Sequence, residues 1–174
     1  MACARVNDVH FVKFSLTDFT KSSISADEWI DRFLKPQLDP IVPVEILRLF
    51  EVARGSIVYG YFFYPLYTLA GEQLYRVAEA AASAKCQLLG AKSRRVKRLE
   101  DKISFLQGQN VISQQDWVWW DSIRHLRNYA SHPKDQTILI PKDVLSDLAS
   151  VAEHINQLFA APVPPNNSFN RSAE

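Results

Sequence analysis

An excess of charge of either sign is missing from this sequence: 20 Lys and Arg face 19 Asp and Glu over 174 residues. A net charge of +1 supplies no general pull toward nucleic acid or anionic lipid, so any such affinity has to come from a local patch. Cysteine is scarce as well. Cys3 stands near the chain start and Cys86 in a helical pattern, which is neither a disulfide framework nor a metal-ligand spacing, and Cys86 reads as core. No stretch approaches the roughly 18 uncharged apolar residues that span a bilayer, and MACARVNDVHFVKF lacks the continuous apolar core of a secretory signal. A cytoplasmic protein without membrane partners is therefore expected. Glycine-rich phosphate loops, internal repeats and sustained heptads are also lacking.

What the chain does have is 47% apolar residues, enough for one domain to bury a core without disulfides or metals. The apolar spacing is helical almost throughout. A capping pattern at Ser25 to Glu28 leads into Trp29, Ile30, Phe33 and Leu34, and Pro36, Pro40 and Pro43 then break the chain. Helices are expected over 44–60, 66–89 with Gly90 as its stop, and 92–107 with Val96, Leu99, Ile103 and Leu106 on one stripe and Gly108 ending it. A further helix begins at Ser113, capped with Asp116 and carrying Trp119, Ile123, Leu126 and Ala130. Pro141 opens the last, with Val144, Leu145, Leu148, Val151, Ile155 and Leu158. The fold class is thus all-α, an up-and-down bundle of four to five helices over 44–160. An irregular arm with a short helix precedes it over 1–43, and a disordered, proline-led tail follows over 161–174.

Chemistry concentrates at the end of the Trp-rich helix, in Arg127-Asn-Tyr-Ala-Ser-His132-Pro133. On a continuous helix Arg127 and His132 would be separated by about 140 degrees. The residue before a proline is disfavoured in the helical region, so His132 is free to leave the helix and swing toward Arg127. Arg offers a planar fork for phosphate, His a proton-transfer group near neutral pH, and Asn128 a hydrogen-bonding group for a phosphate, a ribose hydroxyl or His132 itself. Together they suffice for RNA cleavage without a metal, in which a 2'-hydroxyl attacks the neighbouring phosphate and Arg holds the developing charge. The plainer alternative is that Arg127 pairs with a carboxylate, Asn128 caps and His132 packs against Pro133.

The Arg-Asn-x-x-x-His string at a helix end, preceded by the helix Tyr-Pro-Leu-Tyr-Thr-Leu-Ala-Gly-Glu-Gln-Leu-Tyr-Arg, resembles the HEPN superfamily of helical bundles over roughly 44–159. That resemblance implies a homodimer in which two copies of the string face one another across one ribonuclease cleft, without a cofactor. It assigns phosphorane stabilisation to Arg127, proton transfer to His132 and orientation to Asn128, with Glu72, Arg76 or Glu79 as supporting polar residues on the earlier helix. The implied function is a metal-independent endoribonuclease of the toxin or phage-defence type, its partners being RNA and an antitoxin or other regulator. Lys134 stands where a subgroup silenced by nucleotide transfer would carry tyrosine, so that mode of control is not expected. A non-catalytic HEPN-like module that binds a nucleotide or a partner protein would use the same pocket.

Three other features compete for attention. The run Arg94, Arg95, Lys97 and Arg98 is a candidate RNA-binding face, although Glu100 and Asp101 lower its field and a solvated helix face is the commoner use. The aromatic segment 59–67 and the tryptophans Trp117, Trp119 and Trp120 are expected to pack in the core or an interface rather than stack bases. Asp121 and His125, four apart, read as a surface contact without the further ligands a metal needs.

Overall fold

The computed structural model describes residues 26–92, 94–130 and 139–161, and every structural statement below concerns these. They form an all-helical bundle: α1 (Ala26–Leu34), α2 (Val44–Tyr59), α3 (Leu66–Leu88), α4 (Leu99–Gly108), α5 (Gln114–Ala130) and α6 (Pro141–Ala160). Among the described residues no helix is long and apolar enough to cross a membrane.

The long α3 is the centre of the bundle and touches α2, α4, α5 and α6. Its inner face is built from Ala70, Leu74, Val77, Ala78, Ala81 and Ala82, all fully buried. Small alanines let neighbouring backbones approach, while Leu74 and Val77 interdigitate with Ile46, Phe50 and Ile57 of α2 and with Val144, Leu148 and Ile155 of α6 in one continuous core. Each such aliphatic or aromatic side chain contributes roughly 1.5–3 kcal/mol by leaving water. Phe33 of α1 and Val42 before α2 are buried in that same core.

Helix ends follow local signals. Gly90, at φ +73°, closes α3: its N–H donates to the Gln87 carbonyl and that of Ala91 to the Cys86 carbonyl, the paired pattern of a left-handed glycine stop. Ser113 caps α5, accepting the Asp116 N–H at 3.1 Å and donating to its carboxylate at 2.6 Å. Pro141 opens α6 at the position where a missing N–H costs nothing. Between α2 and α3 the turn is tight: a Cβ on Gly60 would fall 2.6 Å from the Tyr67 ring.

Three contacts fix the direction of α6. The Leu139 N–H donates to Thr68, Tyr75 donates to Asp147, and the Lys85 ammonium donates to the Ala161 carbonyl, so α6 runs in the same sense as α3. Lys85 is 1% exposed, and burial pulls its ammonium below the usual lysine range. Its hydrogen bond satisfies a carbonyl at the C-terminal end of α6, where a cation is favoured.

Several expectations need correction. The helix expected over 92–107 starts only at Leu99; the Arg98 N–H is taken by the Asp101 carboxylate at 2.9 Å, and Glu100 and Asp101 favour a helix N-terminus there. The basic run therefore lies on the connection before α4 and not on a helix face. Gly108 is the last helical residue, and the left-handed position is Asn110, at φ +56°. On α5 the inner residues are Trp120 and Ile123, whereas Leu126 is 41% exposed. Of the aromatic segment only Tyr67 is buried; Tyr59, Phe62 and Phe63 are exposed. The capping pattern at Ser25, the arm before it and the tail after 161 lie outside the described residues.

Candidate functional site

The buried face of α5 is continued, one helical turn after Ile123, by Arg127 and then Ala130. A long cation is thus carried toward α3 on the stripe that, nearer the start of the helix, holds the core together. Opposite it stands Glu79 of α3. The Arg127 Nε donates to Glu79 Oε2 at 3.0 Å, and the other carboxylate oxygen, Oε1, is met by Lys102 Nζ of α4 at 3.3 Å. One carboxylate therefore ties three helices together. Exposure falls across this cluster, from 41% for the Arg127 side chain to 23% for Glu79 and 12% for Lys102, so solvent screens the outer pair more than the inner one.

One and two turns before Glu79 lie Arg76 and Glu72. With Arg127 and Ala130 they line a cleft of roughly 220 Å³ between the N-terminal half of α3 and the C-terminal end of α5. Among the described residues the Glu72 and Arg76 side chains form no hydrogen bond or ion pair with each other, although their i, i+4 spacing would permit one. The cleft is smaller than the roughly 300–1,000 Å³ of pockets that enclose a whole small molecule. Arg76 and Arg127 give it two guanidinium groups beside the Glu72 carboxylate.

Five of the residues singled out in the sequence, Arg127, Asn128, Glu72, Arg76 and Glu79, are brought together here. Of the two acidic candidates, Glu79 is the one that meets Arg127, while Glu72 faces the cleft. Asn128 is exposed, and its side-chain oxygen lies 3.4 Å from Arg127 Nη1. His132 and Ser131 fall outside the described residues. The basic run is not among the residues lining the cleft; Arg94, Arg95, Lys97 and Arg98 are exposed on the connection into α4. Lys102, which no motif in the sequence marked, is part of the site. Its signal in the sequence was absent, because the residue it meets lies 23 positions away on another helix.

A family model described as a domain of unknown function, DUF4145, matches residues 69–166, more than half of the chain. The chain belongs to the DUF4145 family. The DUF4145 match opens in the first turn of α3 and takes in α4, α5 and α6, so Glu72, Arg76, Glu79, Lys102, Arg127 and Asn128 all fall inside it, as does His132. The α1 and α2 helices precede it. No curated protein and no solved structure gives a significant match.

Cys86 is 1% exposed and burial pushes its thiol up to about 11, as suits an inert core residue. Asp121 is held below the usual carboxylate range by its hydrogen bond from Arg124, with His125 Nε2 at 3.4 Å on its other oxygen. No cluster of metal-ligating side chains occurs among the described residues. Trp119 stacks face to face on His154 with ring centres 3.9 Å apart, which gives that histidine a packing role.

Proposed function

We propose that this protein is a metal-independent endoribonuclease of the HEPN kind that acts on RNA as a homodimer. The observation that carries the reading is the placement of Arg127. It is turned onto the inner face of α5, held by Glu79, and set beside Arg76 at a cleft of fragment size. A guanidinium held at its Nε is oriented in advance, which is what stabilising a phosphorane requires. A cleft lined by Arg76 and Arg127 suits a half-site for RNA phosphate completed by a second copy, in keeping with the expected pairing of two Arg-x-x-x-x-His strings.

In the proposed reaction the 2'-oxygen of a ribose attacks the adjacent phosphorus while a histidine accepts its proton. The bond to the 5'-oxygen breaks, and the histidine of the other copy gives that oxygen a proton. The products are a 2',3'-cyclic phosphate and a 5'-hydroxyl. His132 is the proton-transfer residue in each copy, Arg127 and Arg76 meet the phosphate oxygens, and Asn128 orients Arg127. A toxin or phage-defence role, with an antitoxin or regulator as a further partner and the cytoplasm as the setting, belongs to the same proposal.

A second reading is a non-catalytic module that binds a nucleotide or another protein. Its specific support is the exposed aromatic tip formed by Tyr59, Phe62 and Phe63, with Phe62 78% exposed. One experiment separates the two. Purified protein is incubated with mixed RNA in chelator beside Arg127→Ala and His132→Ala variants. The nuclease reading expects cyclic-phosphate ends from the wild type and a loss of roughly 10²-fold or more in each variant. Intact RNA, or equal cleavage by all three proteins, overturns it.

A further inference from the structure

The Glu79 carboxylate faces two cations from different helices, and only one of them, Arg127, lines the cleft. A lone carboxylate and guanidinium favour a two-pronged pairing in which both oxygens engage the fork. Here the two oxygens are divided: Oε2 takes Arg127 Nε and Oε1 takes Lys102 Nζ. Lys102 is the most enclosed of the three, its side chain 12% exposed, and its ammonium meets Glu79 Oε1.

We propose that Lys102 is a positioning residue for the cleft: by occupying one oxygen of Glu79 it limits that carboxylate to a single contact with Arg127. The orientation of Arg127 beside the cleft is thereby set in part from α4. Without Lys102 the Glu79 carboxylate would be able to turn both oxygens onto Arg127, drawing it toward α3. The assignment rests on the reading that the cleft receives a phosphate group, but not on cleavage.

The test is a double-mutant cycle read by titration of inorganic phosphate at fixed ionic strength, followed by calorimetry or by the arginine Nε–H resonances. The proteins are the wild type, Lys102→Met, Glu79→Gln and the double variant, with Lys102→Arg as the conservative replacement and Lys102→Gln as a polar alternative should the Met variant fold poorly. The expected result is a loss of phosphate affinity of roughly three- to tenfold in Lys102→Met, no further loss when that change is added to Glu79→Gln, and wild-type affinity in Lys102→Arg. An equal loss in both backgrounds would mean that Lys102 acts only as a distant charge and would overturn the proposal, as would no loss at all. Tighter binding in Glu79→Gln would also count against it, because removal of a nearby negative charge should help an anion unless the carboxylate orients Arg127. Phosphate coupling without RNA cleavage removes the nuclease reading and keeps the Lys102 assignment. Cleavage with equal losses in both backgrounds does the reverse, and absence of phosphate binding to the wild type overturns the assignment as well.

Discussion

Replacing Trp120 with alanine should destabilise the protein far more than replacing Trp119, although the two are neighbours of the same type. Trp120 is 2% exposed and packs edge to face against Trp119 with ring centres 5.0 Å apart. Truncating a fully buried aromatic costs roughly 3–5 kcal/mol, from lost burial and from the cavity left between helices. Trp119 is half-buried and keeps one face on His154, so its loss should cost only about 1–2 kcal/mol. At the roughly 2–4 °C per kcal/mol usual for a chain of this size, Trp120→Ala should lower Tm by about 6–20 °C and Trp119→Ala by less than about 8 °C. Trp120 also shares the inner stripe with Arg127, so the former variant should disturb the Arg127 Nε–H resonance as well. The assay is thermal and urea unfolding followed by far-ultraviolet circular dichroism. Equal losses, or a larger one for Trp119→Ala, would refute the assignment of the inner face of α5 and with it the inward placement of Arg127.

Ser113→Ala should cost about 1 kcal/mol, measured by urea unfolding, because it removes the oxygen that accepts the Asp116 N–H; an unchanged midpoint would mean that the cap contributes nothing. Gly60→Ala should destabilise by roughly 1–3 kcal/mol, since the added methyl falls against the Tyr67 ring and the Ile57 carbonyl, and a more stable variant would contradict that geometry. Asp147 gives a prediction with a definite sign in pH. Burial raises its carboxyl above the usual range against the opposing hydrogen bond from Tyr75, so its stabilising contribution is fully present below the unfolded carboxylate pKa and is lost as pH rises through the folded value. Asp147→Asn should therefore gain on the wild type as pH rises from about 3 to 7, and a stability difference independent of pH would exclude this linkage.

Local chemistry made much of the fold legible. Gly90 ends α3 because it adopts a backbone conformation that glycine tolerates best, Ser113 starts α5 because its hydroxyl reaches a free N–H, and Pro141 starts α6 because its ring fits only there. Each signal lies within a few residues of its effect. The start of α4 was legible in principle, since Glu100 and Asp101 after a basic run mark a helix N-terminus, but the periodic stripe through Val96 outweighed it. The inner face of α5 was not legible. Trp117, Trp119 and Trp120 give that helix an apolar arc wide enough for more than one orientation, and only the packing of Trp120 and Ile123 against α3 and α4 selects one.

The same division runs through the site. The sequence by itself determined that Arg127 and Asn128 close a helix and that Glu72, Arg76 and Glu79 share one side of another, because helical periodicity fixes which residues of one segment stand together. It could not choose between Glu72 and Glu79 as the partner of Arg127, nor bring in Lys102, because those contacts join helices whose relative rotation and height depend on how the entire core fills. Only the tertiary structure decided that one carboxylate is shared between α4 and α5, with Arg127 at the mouth of the cleft.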